Sequence, residues 1–568
     1  MRCKITKKFG ISYRKMKNMA ENDVLLFISV EIRLSDCVLW IIFSTFANQL
    51  PHSMKILTGT QHKELDLYTI ENEPIDSIDL MERASRAIAA EIMRRWDKQR
   101  TVFVFAGAGN NGGDGLAVAR LLFHQGYRVA VFLFNIKGKL SVDCEINRDR
   151  LLEILEEETA HERLVLKEIT QGFDFPKVHQ QDIVVDALFG TGMRGPLSGG
   201  FAVVVRKINS LHAHVVSIDV PSGLMCEDNS FTDRNTVIHA ELTLTMQLPK
   251  LAFLMADNET CVGEWKTLDI RLSPEGMTKA NTPYSLIEKQ DVQDMLRTRS
   301  VFAHKGNLGH ALLVAGCYGM AGAAILSCQG CLRSGTGKLT LHTGAANNTI
   351  IQISVPEVVM WPDRNNRCIS DTPDISPYAT IGLGPGIGKD PATVHAVHEY
   401  LALADMPMVV DADALNILGE HREWMGHLPS GSILTPHVKE LERMTGSCTS
   451  SYERLMRATE LALQYHVYVI LKGHYTAICT PQGRVFFCPR GNAGMATPGS
   501  GDVLTGILTG LLAQGYAPSE AAILGVWLHA SAGDLAAHDL SEESMLASDI
   551  VTHLGKAFQE LRTSNYEL

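Results

Sequence analysis

From Thr101 onward, apolar residues fall into short continuous runs separated by longer stretches with helical spacing: TVFVFAG, YRVAVFLFN, DIVVDALFG, HVVSIDVPSG and AELTLTMQL. Runs of this kind predict strands buried on both faces, hence a parallel sheet covered by helices. The pattern ends near Ile270, where RLSPEGMTKANTPYS predicts a linker from its Pro, Gly, Ser and Thr content. A second alternation follows in HALLVAGC, GKLTLHTG, YATIGLGPG, PMVVDADAL, GSILTP and VYVILKG. No internal repeat relates the two halves, so two unrelated α/β domains are expected. Met54 begins an amphipathic helical pattern, MKILTGTQHKELDLYTIENEPIDSIDLMERASRAIAAEI. The expected division is a leader at 1–53, a first domain at 54–273, a linker at 274–284 and a second domain at 285–568.

The leader does not match the rest. Its apolar stretch VLLFISVEIRLSDCVLWIIFSTF is broken by Glu31, Arg33 and Asp36, leaving runs too short for the ~20 residues of a membrane span. FANQLPHSM is a poor signal-peptide cleavage site. Met54 is therefore read as the natural initiator and the leader as a gene-start artefact. A length of 568 residues leaves room for two large domains, and a net charge of −11 argues against nucleic acid or an anionic membrane as partner. Twelve cysteines lie scattered without a disulfide framework, which suggests a reducing cytoplasm. The close pair Cys328 and Cys331 is read as buried helix packing.

Candidate chemistry in the first half centres on GAGNNGGDG, a strand-to-helix glycine turn with Gly107, Gly109 and Gly112 at dinucleotide-fingerprint spacing. Such a turn offers unpaired backbone N–H groups and a positive dipole end to an anion. A dehydrogenase would also place an acidic residue at the end of the following strand, to hold ribose. That strand instead ends in FLFNIKGK, with Asn135 and Lys137. The fingerprint fits by spacing and fails by context. Two further strand ends carry chemistry: DALFGTGMRGP presents Asp186 before a glycine turn, and IDVPSG presents Asp219 and Ser222. Each alone could be a capped turn, but three in succession converge on the carboxyl edge of one sheet.

Together, GNNGGDGLAVAR, DALFGTG and IDVPSG resemble the NAD(P)H-hydrate epimerases across most of residues 54–273. The resemblance implies a Rossmann-like three-layer domain. It implies that Asn110, Asn111, Gly112, Gly113 and Asp114, with Gly190, Thr191, Gly192, Met193, Arg194, Gly195 and Pro196, hold the hydrated nucleotide. It further implies a potassium ion on Asn111, Asp186 and Ser222, with Asp219 catalytic beside the nicotinamide ring. Oxygen ligands suit such a cation, and amide-rich turns suit a pyrophosphate. The reaction is inversion at C6 between R and S hydrates, by loss and re-addition of water, with Asp219 acting as acid and then as base.

In the second half, GCLRSGTGKLT nearly offers a P-loop, but Leu332 occupies the first glycine position and Leu339 replaces Ser/Thr. RGNAGMATPGSGDVLTGILTG is the better site, a glycine loop entering a helix with Asp502 in its first turn. With GLGPGIG, VVDADALNIL, LTPHVKELERMTG and LKGHYTAI, it resembles the ADP-dependent NAD(P)H-hydrate dehydratases of ribokinase-like α/β fold, over roughly 285–560. The resemblance implies that Lys472, Gly473, His474, Tyr475, Thr476 and Gly501 bind ADP. Ala323, Gly386, His437 and Asp502 would contact the hydrate. His437 alone could equally be a helix-start residue. Thr497-Pro498 departs from the family loop and is expected to stiffen it without loss of activity.

By this resemblance Asp502 takes the proton of the C6 hydroxyl as it attacks the terminal phosphate of ADP, with Mg²⁺ bridging the phosphates. The ring nitrogen then expels the phosphorylated oxygen, restoring NADH or NADPH. A cytoplasmic homo-oligomer acting on small-molecule hydrates and ADP, with no nucleic-acid or membrane partner, is expected. Two rivals are a ribokinase-like vitamin-precursor kinase fused to a nucleotide-binding domain, and a non-catalytic scaffold. Retention of Asn111, Asp186, Asp219 and Asp502 argues against the scaffold.

Overall fold

The computed structural model describes residues 52–563; the leader reading of residues 1–51 lies outside them. β1 (Met54–Lys55) belongs to the second of two sheets. The first sheet holds β2 (Thr101–Gly107), β3 (Arg128–Phe134), β4 (Leu164–Ile169), β5 (Ile183–Ala187), β6 (His214–Ile218), β7 (Leu242–Met246) and β8 (Glu264–Leu268). Their order is β4-β3-β2-β5-β6-β7-β8, parallel throughout. β2 and β5 are neighbours in space but not in sequence, so the connections run to opposite sides and leave a crevice at their carboxyl ends. The strands absent from the hydrophobic pattern, β4 and β8, are the two edges. Each alternates exposed with covered positions, so neither shows a continuous apolar run.

The second sheet adds β9 (Tyr284–Leu286), β10 (His310–Val314), β11 (Lys338–Thr343), β12 (Val359–Pro362), β13 (Thr380–Leu383), β14 (Met408–Val410), β15 (Ile433–Leu434), β16 (Tyr468–Leu471), β17 (Ala477–Cys479) and β18 (Val485–Phe487). Its order is β1-β9-β18-β17-β16-β15-β14-β13-β10-β11-β12. The segment from β16 to β12 is parallel, with a second switch point between β10 and β13. β17 runs antiparallel to both neighbours.

Helices used below are α1 (Gly59–Asn72), α2 (Ser77–Arg95), α3 (Asn110–His124), α4 (Ala321–Arg333), α5 (Val438–Thr445), α6 (Ser500–Ala513) and α7 (Pro518–Leu540). α3 begins at the glycine turn because nothing larger fits there. A Cβ on Gly107 would lie 1.9 Å from the Leu188 carbonyl oxygen, and one on Gly112 would lie 1.7 Å from that of Gly107. Gly112→Ala is therefore expected to push α3 off β2, destabilising the first half by about 1–3 kcal/mol, the usual range for overpacking. A lower melting temperature by circular dichroism checks this.

α6 is buried along nearly its whole length. It meets α4 at Gly330, Gly506 and Gly510, where a Cβ would lie 2.5 Å from the Val503, 2.0 Å from the Ser327 and 2.7 Å from the Cys331 carbonyl oxygen. Cys328 and Cys331 are fully buried on α4 as free thiols, matching the packing reading. Lys338 opens β11 after a helix. A P-loop lysine follows a strand and starts a helix, so the local order is reversed and the phosphate-loop reading stays rejected.

The two halves share surface. β1 pairs with β9, so the chain entering the first half contributes a strand to the second sheet. Part of the expected linker is the short helix Pro274–Lys279, whose Gly276 packs on Leu65 and Tyr68 of α1. Asp257 pairs with Arg454 at 3.2 Å, and the Trp265 indole N–H donates to the Tyr475 hydroxyl at 3.0 Å. Among the described residues, no helix is long and apolar enough to cross a membrane.

Two candidate active sites at the sheet switch points

The first switch point opens into a cavity of about 350 Å³. Asn110 and Asp114 of α3, Thr191 of the loop after β5, and Asp219 after β6 all line it. No side chain caps the start of α3, so its first N–H groups face the crevice mouth free for an anion. Gly112 and Gly113 lie buried beneath this turn. Gly190 packs against the Asn111 side chain, and Met193 Sδ accepts from the Gly223 N–H at 3.2 Å. Gly192, Arg194, Gly195 and Pro196 form the outer part of the loop and are not among the residues lining the cavity.

Asp219 sits at a backbone φ of +66°, uncommon for a residue with a side chain and tolerated best by Asp or Asn. Its Oδ1 accepts from Lys250 Nζ at 2.7 Å and from the Thr245 hydroxyl at 3.2 Å. Burial pushes this carboxyl up, but Lys250, His62 and the hydrogen bonds from Lys250 and Thr245 together outweigh it and hold Asp219 below the usual carboxylate range. The Lys250 ammonium is itself almost fully buried, and it also donates to Thr245 Oγ1 at 2.7 Å and the Leu248 carbonyl at 3.3 Å.

Asp186 lies deeper, fully buried at the end of β5. It accepts from the Ser217 hydroxyl at 2.8 Å, the Ser222 N–H at 2.8 Å and the Ser222 hydroxyl at 2.6 Å. Burial raises its carboxyl above the ordinary value, against the pull of these bonds. Nearby, the Asn111 side-chain amide is buried with its Nδ2 unpartnered.

The second switch point gathers charge around Asp411, which follows β14. Its Oδ1 accepts from Lys472 Nζ at 2.9 Å and its Oδ2 from the Thr505 hydroxyl of α6 at 2.8 Å. A Cβ on Gly501 would lie 3.4 Å from that same Lys472 ammonium, so the cation stands directly at the first turn of α6. Asp502 occupies the same turn, and no side chain caps it. Burial, then the negative charge of Asp411, push the Asp502 carboxyl up to about 7 against the pull of Lys472. His437 caps α5 through Nδ1 and approaches Glu440 through Nε2 at 3.2 Å, and Glu440 in turn lies 3.8 Å from the Lys472 ammonium. Gly386 packs on Ala323, within reach of Asp413 through the Gly388 N–H at 2.9 Å.

Lys472, Gly473, His474 and Tyr475, the stretch expected to bind ADP, line a cavity of about 360 Å³ shared with Phe253 and Trp265 of the first half, and Lys472 turns its ammonium to Asp411. Thr476 donates to the Gly473 carbonyl and closes the turn. The entry to the glycine loop is fixed by Asp534 of α7, which accepts from the Gly491 N–H and from Asn492 Nδ2 at 3.1 Å.

Sequence reasoning missed His62, Asp66, Lys250, Asp411 and Glu440. Asp411 follows the rule that found Asp186 and Asp219, an acid ending an apolar strand, and could have been taken the same way. Lys250 closes the apolar run LTLTMQLPK, a charge where burial is expected. His62 and Asp66 sit four apart on α1, and nothing in an amphipathic pattern separates such a pair from a solvated face.

Two glycine-turn crevices, each with a buried or half-buried carboxylate opposed by a lysine, define a two-site nucleotide-handling α/β enzyme. Residues 77–252 match a family model described as YjeF-related protein N-terminus, and residues 311–556 one described as NAD(P)H-hydrate dehydratase. A bifunctional NAD(P)H-hydrate repair enzyme of Moorella thermoacetica is 34% identical over 522 residues, spanning 89% of this chain and 97% of that protein. One from Coxiella burnetii is 32% identical over 508 residues, spanning 87% and 97%. The solved ADP/ATP-dependent NAD(P)H-hydrate dehydratase of Bacillus subtilis is 30% identical, spans 49% of this chain and 98% of its own, and gives a TM-score of 0.42. The chain belongs to the family of bifunctional NAD(P)H-hydrate repair enzymes.

Proposed function

We propose that residues 54–273 interconvert the R and S hydrates of NADH and NADPH, and that residues 285–568 dehydrate the S hydrate with ADP, giving AMP and phosphate. The observation that carries the second half is the first turn of α6. There an uncapped helix N-terminus, the Lys472 ammonium and the Asp502 carboxyl meet at one point. Backbone N–H groups and Lys472 hold the transferring phosphoryl, while Asp502 withdraws the proton of the attacking C6 hydroxyl. Loss of the phosphorylated oxygen needs only the ring nitrogen's lone pair.

In the first half, the free N–H groups of α3 receive the pyrophosphate, and the Asp219 carboxylate faces the cationic ring formed when the C6 hydroxyl departs. Asn111, Asp186 and Ser222 supply the amide, carboxylate and hydroxyl oxygens that suit a potassium ion, and the Ser222 hydroxyl already meets Asp186 at 2.6 Å. That ion would fix the turn after β5 under the nucleotide. Magnesium, entering with the ADP phosphates, would offset the carboxylates of Asp411, Asp413 and Asp502.

The test is recovery of reduced-nicotinamide absorbance from purified R and S hydrates with ADP and magnesium. S hydrate is expected to be restored directly, and R hydrate only through epimerisation. Phosphorylation of a vitamin alcohol by ATP, with no restoration of either hydrate, would favour the kinase reading. Exchanging potassium for lithium at equal ionic strength is expected to slow R-hydrate use several-fold and leave S-hydrate dehydration unchanged.

A further inference from the structure

Epimerisation by loss and re-addition of water needs a group that gives a proton to the leaving hydroxyl. Asp219 is ill placed to do so alone, because Lys250 holds it as a carboxylate. Lys250 cannot replace it, since its three protons go to Asp219, Thr245 and the Leu248 carbonyl. His62 is buried at 6% exposure and burial pushes its imidazole down to about 3, so it carries no spare proton near neutrality. Asp114 and Asp143 also line the cavity, but each is buried at 7% exposure, and Asp143 is engaged by the Ser77 hydroxyl at 2.6 Å.

One lining carboxyl is left. Asp66 hangs from α1 into the cavity and is half-buried. Among the described residues it accepts no hydrogen bond and pairs with no cation. One helical turn earlier, the His62 Nε2 is buried without a partner on the same wall of the cavity. A buried ring nitrogen without a partner, beside an accessible carboxyl on the same cavity wall, is what a bound polar substrate completes. The charged groups facing Asp66 are His62, Lys63, Asp114, Asp143, Asp219 and Lys250. Burial and the negative charge of Asp219 push its carboxyl up to about 7, against the pull of Lys250, so it keeps a proton where Asp219 has none.

We propose that Asp66 is a second catalytic residue of the first half, an acid on the α1 wall of the cavity that works with Asp219 on the sheet side. This rests on the epimerase reading of that half. In one direction the C6–O bond breaks as the ring nitrogen's electron pair forms N=C6, and the oxygen takes the Asp66 proton to leave as water. A water molecule then bonds to C6 from the other face, its oxygen supplying the electron pair as the N=C6 pair returns to the ring nitrogen, and its proton passes to Asp219. Nothing is oxidised or reduced. The two carboxyls regain their starting states through solvent at the half-open mouth, and the reverse reaction exchanges their roles. Two carboxyls whose surroundings drive their ionisation apart divide acid and base work in this way.

Asp66→Asn and Asp66→Glu in the full chain test the assignment. With purified R hydrate and the dehydration of S hydrate in excess, Asp66→Asn is expected to lower epimerisation about 10²–10³-fold. Wild type should lose rate as pH rises past about 7, where the acid ionises, and the Asn variant should show no such limb. Asp66→Glu is expected to restore part of the rate together with the limb. In ¹⁸O-water each wild-type inversion should place one ¹⁸O at C6. Near-wild-type epimerisation by Asp66→Asn, or a slow variant that keeps the alkaline limb, overturns the assignment while leaving the epimerase reading intact. Absence of R-hydrate use by wild type itself overturns the epimerase reading instead.

Discussion

Asp502→Asn is expected to lower dehydration of the S hydrate by about 10³–10⁴-fold, the upper end for loss of a general base, because proton removal and phosphoryl attack occur together. Asn keeps the shape, and no cap is lost because no side chain caps the start of α6, so the chain should fold. Its stability should increase at alkaline pH. The folded carboxyl titrates near 7, well above its unfolded value, so the folded state holds a proton that the unfolded state has lost as pH rises from about 4 to 7. Wild type loses stability through that window and Asn does not. The melting temperature of the variant should therefore gain on wild type between those pH values and keep a constant lead above 7. Nucleotide affinity should persist, since Lys472 and the helix N-terminus are untouched. Epimerisation should not change. Dehydration at near-wild-type rate would make Asp502 structural. For wild type, kcat/KM for S hydrate should rise with pH toward 7 as the base ionises.

Asp219→Asn is expected to cost both activity and stability. Asn tolerates the φ of +66°, so the backbone itself should not be strained. The loss comes from Lys250, left almost fully buried without its carboxylate. Breaking a buried pair by removing one partner typically costs about 3–5 kcal/mol. Epimerisation should fall by about 10²-fold or more, because the cationic ring loses its facing negative charge and the re-adding water loses its proton acceptor. Adding Lys250→Met should recover most of the stability, since the orphan charge is gone, and none of the activity. Thermal unfolding and R-hydrate turnover on the single and double variants separate the two effects. Recovery of activity in the double variant would remove Asp219 from the chemistry.

By itself the sequence determined the central parallel strands of both sheets, because strands buried on two faces must be apolar throughout and announce themselves. It determined the glycine turn at Gly107–Gly112 and the carboxylates Asp186, Asp219 and Asp502, because an acid at the end of such a strand, or in the first helical turn after a glycine loop, is conspicuous. Edge strands β4 and β8 and the short β17 and β18 were not legible, since half-exposed or three-residue segments carry no distinctive period. Nor was β1, two residues long, whose partner β9 lies more than two hundred positions away. Tertiary structure alone decided what opposes each carboxylate. Lys250 reaches Asp219 from 31 residues on, and Lys472 reaches Asp411 across 61. Those pairings set which acid is ionised and which keeps its proton. No local pattern encodes them, because a side chain's charge state depends on burial and on neighbours that only folding brings within a few ångströms.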